Sequence, residues 1–73
     1  MKITTDYIKL DSFLKYVQWV DSGGMAKMVV SDGLVYVNGE MEQRRGRKLY
    51  PGDVVEFMGE KDTIEKDETH LSE

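Results

Sequence analysis

The apolar residues of this chain change period several times along its length, and each change marks an element. Leu10, Phe13, Leu14 and Val17 fall at i, i+3, i+4 and i+7, with Lys9, Ser12, Lys15 and Gln18 on the other side. That spacing predicts an amphipathic helix from Leu10, ending near Asp21-Ser22-Gly23-Gly24, where consecutive glycines break regular structure. A second helix is expected over Gly24 to Ser31. Met25, Met28 and Val29 have helical spacing, Ser22 is its N-cap and Asp32-Gly33 its stop. The β-branched pair Val29-Val30 would also suit a strand.

Beyond Gly33 the period shortens to two. Val35 and Val37 alternate with Tyr36, and Asn38-Gly39 supplies the positive φ angles of a tight hairpin turn. A return strand is expected from Glu40 to Gln43. Pro51-Gly52-Asp53 marks a turn, Val54 to Phe57 a last strand, and Met1 to Tyr7 a β-permissive edge. From Gly59 to Glu73 the periodic apolar residues stop, and a solvated, disordered tail is expected. The fold class is therefore α+β: two short helices covering one face of a small antiparallel sheet. Its expected core is Leu10, Leu14, Val17, Met28, Val29, Val35, Val37, Val54 and Phe57.

Composition narrows the chemistry. Seventy-three residues make one small domain over residues 1–58 followed by the tail, and the absence of cysteine excludes disulfides and thiolate metal sites. No apolar run is long enough to cross a bilayer and the first seven residues do not read as a signal peptide, so a cytoplasmic protein with no membrane partner is expected. The net charge of −4 is unevenly placed. Lysines and arginines balance acids up to Met58, and the whole acidic excess falls in Gly59 to Glu73. Within the balanced part, Arg44, Arg45, Arg47 and Lys48 crowd into five residues, which invites a polyanion partner.

Catalysis finds little support. The one histidine, His70, lies in the expected tail, and no set of carboxylates or imidazoles converges by spacing on a metal. A non-enzymatic chain without metal or cofactor is expected. The basic run is more telling, because guanidinium forks match phosphate oxygens and Gly46 lets the backbone bend or approach closely. Its bland alternative is a polar loop whose charges pair with Glu40, Glu42 and Asp53. Gly23 and Gly24, before a helix N-terminus with Lys27 one turn in, could receive an anion or simply form a helix-to-helix turn. Trp19 reads as a packing residue, and the tyrosines show no aromatic signature that requires base stacking.

The order of these features resembles the S-four domain, also called the alpha-L RNA-binding motif. A Leu10-Asp11-x-x-Leu14 helix, a glycine turn, a second helix ending at Gly33, Val35-x-Val37-Asn38-Gly39 and Gly52-Asp53-x-Val55 recur in its order over roughly Ile8 to Phe57. Ser22-Gly23-Gly24-x-Ala26-Lys27 and Arg44-Arg45-Gly46-Arg47-Lys48-Leu49 are similar to the small stand-alone bacterial members of the YaaA and YbcJ type. The resemblance implies a surface for structured RNA, ribosomal RNA foremost, formed by the helical pair and the adjoining loop. Carried over by position, it implicates Lys15, Gly23, Gly24, Lys27, Arg44, Arg45, Arg47 and Lys48. It also implies a role with a ribosomal subunit or precursor particle in assembly, and a monomer is the simplest expectation for a chain with one basic patch. Many relatives carry an arginine at the start of the second helix where this chain has Gly23-Gly24, so recognition there would fall to backbone N–H groups and Lys27.

Two rivals remain. A β-grasp sulfur carrier shares the Val-Asn-Gly and Gly-Asp-x-Val elements but needs a terminal Gly-Gly, and this chain ends His70-Leu71-Ser72-Glu73. A protein-interaction adaptor would use the basic run to dock an acidic partner.

Overall fold

In a computed structural model, which describes residues 1–67, the first helix is shorter than the apolar period predicts. A two-residue strand β1 (Lys2–Ile3) and a second, β2 (Ile8–Lys9), lead into α1 (Leu10–Tyr16). Leu10, Phe13 and Leu14 are fully buried along one side of α1. The helix stops well before the glycines because Gln18 takes a left-handed φ of 62°. The N–H of Trp19 then donates to the Leu14 carbonyl and that of Gln18 to Lys15, both at 3.0 Å. This is the paired-bond helix ending that usually employs glycine. It swings Trp19 back over the core, edge-on to Phe13 at 5.4 Å and stacked on Phe57 at 6.3 Å between ring centroids.

The second helix, α2 (Gly23–Ser31), starts at Gly23, with the Ser22 hydroxyl accepting from the Met25 N–H at 3.2 Å. It buries Ala26, Val29 and Val30, so the β-branched pair is helical. The same ending recurs at its C-terminus, where Gly33 has φ +76° and the N–H groups of Gly33 and Leu34 donate to Val30 and Val29.

Five strands follow the two of the N-terminal segment to complete part of the fold: β3 (Val35–Val37), β4 (Glu40–Met41), β5 (Lys48–Leu49), β6 (Val54–Phe57) and β7 (Glu60–Thr63). A short β8 (Glu65–Lys66) comes last. The main sheet has the antiparallel order β4-β3-β6-β7. Asn38 and Gly39 have φ of 54° and 85°, the tight mirror-image turn expected of Asn-Gly. The Asn38 side chain also ties the next turn, accepting from the Val54 N–H at 2.9 Å and donating to Asp53 at 3.1 Å. Register places Val35 opposite Phe57 and Val37 opposite Val55. All four are buried on the face that meets the helices.

The expected tail is corrected over residues 59–67. Met58 and Gly59, with φ of 50° and 85°, make a second hairpin into β7. Ile64 is 1% exposed, and its N–H and C=O bond Asp53 and Gly52 across the Pro51-Gly52-Asp53 turn. β8 pairs in parallel with β1. Glu68 to Glu73, His70 among them, lie outside the described residues. The core list needs correction too. Met28 is 54% exposed, Val17 and Val54 are half-buried, and Val55 replaces Val54 because alternation from Phe57 selects odd positions. Ile3, Phe13, Val20, Ala26, Val30, Leu49, Val55 and Ile64 complete the core.

Candidate nucleic-acid interface

The basic loop connects β4 to β5 and its backbone is fixed against the start of α1. That helix has no side-chain N-cap. Its first N–H groups instead find the loop: Leu10 donates to the Arg47 carbonyl at 2.8 Å and Asp11 to the Arg45 carbonyl at 2.9 Å. An Arg47 N–H to Arg44 carbonyl bond of 3.1 Å closes the turn through Gly46. Gln43 fastens the other side by donating to the Ser31 carbonyl at the end of α2. The loop therefore satisfies orphan groups at two helix ends, and its side chains project from a constrained frame.

Glu42 organises two of those side chains. It is the buried charged residue of the described chain, 5% exposed. Arg44 donates to it through Nε at 2.9 Å and Nη2 at 3.1 Å, and through its backbone N–H at 3.0 Å. Arg47 adds an Nη1 bond of 2.8 Å. The Arg44 hydrogen bonds, reinforced by Arg47, hold the Glu42 carboxyl down at about 2 despite its burial, and Glu42 in turn raises Arg44. The Arg44 side chain is nevertheless 76% exposed. Two of its five guanidinium N–H groups face Glu42, leaving three directed elsewhere. Of the three acids the bland reading offered, Glu42 pairs with the loop. Asp53 serves Asn38 and the Tyr50 N–H.

Arg45 and Lys48 take no carboxylate partner among the described residues. Lys48 stands directly opposite Lys9 in the β2–β5 pair, an unfavourable placement for like charges, and its Nζ sits 4.9 Å from the centroid of the Tyr7 ring. Tyr7 leans on Tyr50 at 5.8 Å. Lys9, which the helical period put on the polar side of α1, is thus a member of the patch that the sequence reading missed. The sign that could have found it is strand pairing with the basic run. Glu42 was seen only as a neutralising partner, whereas its burial makes it a positioning group.

The remaining predicted residues gather at the other end of α1, about 9 Å along the axis. Lys15 reaches the start of α2, where a Cβ added to Gly23 would meet its Nζ at 3.8 Å. Gly24 lies beside the Ser22 cap and Lys27 is exposed one turn on. Two basic groups of residues therefore flank one helix: Lys9, Arg44, Arg45, Arg47 and Lys48 at its start, Lys15, Gly23, Gly24 and Lys27 beyond its end. Of these cations, Arg44 and Arg47 are held in place by Glu42.

A family model described as the S4 domain matches residues 1–65. The chain is similar to the "Probable ribosome maturation protein RlbA" of Bacillus subtilis (strain 168), 52% identical over 59 residues covering 81% of this chain and 83% of that protein. It is also similar to the "Putative RNA-binding protein YbcJ" of Escherichia coli (strain K12), 36% identical over 53 residues, 73% of this chain and 76% of that one. Among solved structures, the crystal structure of the 30S ribosomal protein S4e from Thermoplasma acidophilum aligns with a TM-score of 0.67 at 25% identity over 81% of this chain. The match spans 31% of that longer protein.

Proposed function

This chain belongs to the S4 domain family, and from that premise we propose that it binds structured RNA, ribosomal RNA foremost, without catalysing a reaction. Its place of action is a ribosomal subunit or precursor particle in the cytoplasm, a reading supported by one relative's name, which describes ribosome maturation, and another's, which describes RNA binding. The observation that carries the reading is the Glu42-anchored loop. Arg44 and Arg47 are held by a buried carboxylate while Arg45, Lys48 and Lys9 beside them have no carboxylate partner among the described residues. Phosphates bound there release counterions, and the constrained spacing selects RNA by shape.

The test is filter binding to fragmented ribosomal RNA at several salt concentrations. With about four phosphate contacts, log K falls against log salt with a slope of roughly −3 to −4. The informative variant is the triple alanine change at Lys9, Arg45 and Lys48, which leaves the Glu42 pairs and the fold intact. Loss of binding in the triple variant supports the site. Equal binding by both proteins, or no binding by the folded wild type, refutes it and favours an acidic protein partner. Replacing Arg44, Arg45 and Arg47 by lysine adds a further distinction, since an acidic partner reading charge tolerates the change and a phosphate site loses its guanidinium forks.

A further inference from the structure

A second surface adjoins the basic loop, and its chemistry differs. A cleft of about 510 Å³ opens between the N-terminal segment and α1, lined by Lys2, Ile3, Tyr7, Lys9, Ser12 and Tyr16 among others. Among the described residues, two lysines and no carboxylate line it. Its size falls in the range of small-molecule clefts. Ile3 forms an apolar floor, 6% exposed. The Tyr16 ring is 73% exposed and Tyr7 36%. The hydroxyls of Ser12 and Tyr16 take no partner among the described residues.

The cleft is continuous with the loop. Lys9 lines it and faces Lys48 across the β2–β5 pair, while Tyr7 lines it and carries Lys48 on its ring. Tyr7 and Tyr16 both line the cleft that Lys9 edges, so a base entering beside a phosphate at Lys9 meets tyrosine. Aromatic faces accept any base by stacking, hydroxyls read base edges, and a described lining whose charged side chains are Lys2 and Lys9 suits a polyanion. A base within a duplex is stacked and unavailable, so the occupant is an unpaired one.

We propose that this cleft captures an unpaired nucleobase of the RNA, so that the target is a helix carrying a bulged or flanking single nucleotide. The proposal rests on the RNA-binding reading and specifies its substrate. A test uses two hairpin RNAs that differ by one unpaired 2-aminopurine, with affinity and 2-aminopurine fluorescence read together. The wild type binds the bulged hairpin about tenfold more tightly than the paired one, and fluorescence falls as the base stacks. Tyr16→Ala cuts the preference to about threefold or less and weakens the quench, with paired-hairpin affinity within about twofold of wild type, and folded Tyr7→Leu cuts the preference likewise. Tyr16 is largely exposed, so its variant folds even if Tyr7→Leu does not. Equal binding of both hairpins with unchanged fluorescence overturns the cleft and leaves RNA binding standing. A preference that survives in Tyr16→Ala and in folded Tyr7→Leu also overturns it. Failure to bind either hairpin overturns the RNA reading, and the cleft with it.

Discussion

Replacing Glu42 by glutamine removes one charge while keeping the side chain's size. In the native chain three side-chain hydrogen bonds from Arg44 and Arg47 converge on this carboxylate. Glutamine offers one acceptor oxygen and turns its amide donors toward guanidinium donors. The carboxyl at about 2, against an unfolded value near 4.3, corresponds to roughly 3 kcal/mol of linked stability. Solvent reaches the outward side of Arg44, so screening reduces the effect to about 1–2 kcal/mol. In a domain of this size that is a fall in Tm of roughly 5–15 °C. The pH dependence is the sharper signature. A depressed carboxyl stabilises fully above its unfolded pKa and loses that contribution as pH falls through its folded value. Urea melts of both proteins from pH 7 to pH 2 therefore show a constant gap above about pH 5, which closes steadily toward pH 2. A gap that stays flat with pH, or a Glu42→Gln protein as stable as wild type at pH 7, refutes the role assigned to Glu42.

The segment after Gly59 has its own test. Ile64→Ala costs about 2–5 kcal/mol in chemical denaturation because a fully buried side chain is cut back, whereas a solvated tail would give no change. Gly33→Ala destabilises by about 1–2 kcal/mol, since φ is +76° and the new Cβ would lie 2.9 Å from Met41 Sδ. Adding Met41→Ala relieves the clash and leaves the backbone strain, so recovery in thermal melts is partial. Lys9→Ala removes one of two facing like charges, so stability holds or rises by up to about 0.5 kcal/mol. Its RNA affinity falls, and the salt slope becomes shallower by about 1.

What could be read from the sequence was local, and what could not was contributed by distant chain. Asn38-Gly39 declares its hairpin because few residue pairs tolerate two positive φ angles. Met58-Gly59 makes an equivalent turn with only one residue suited to it, so it carries no comparable signal. β7, Glu-Lys-Asp-Thr, is an edge strand whose charges discourage further pairing. The same charges erase the alternation by which a strand is recognised. Ile64 is one apolar residue in an acidic run, and its burial depends on a turn eleven to thirteen residues earlier. The early end of α1 rests on Gln18 in a conformation that glycine usually takes. At the candidate site, Arg44 to Lys48 stood out because charge density survives any fold. Lys9 did not, because its neighbour across the sheet is Lys48, thirty-nine positions away.

The carboxylate under the arginines also bears on selectivity. Glu42 cancels part of the loop's charge, so a protein built only for affinity to polyanions would gain by losing it. In return it holds two arginines that would each give up about 2 kcal/mol of rotamer entropy on being ordered by RNA. An RNA whose phosphates match the fixed positions therefore meets cations already in place, while a mismatched polyanion meets a weakened charge. Glu42→Gln should reverse this balance at a temperature where the variant stays folded. Affinity for a homopolymer rises, because one negative charge is gone from the patch. Affinity for a structured fragment rises less or falls, because Arg44 and Arg47 must then be ordered on binding. The ratio of the two affinities, measured by competition at a single salt concentration, should drop about three- to tenfold, from the entropy returned to the two side chains. If the ratio is unchanged or increases, Glu42 secures the loop in the fold and plays no part in choosing the RNA.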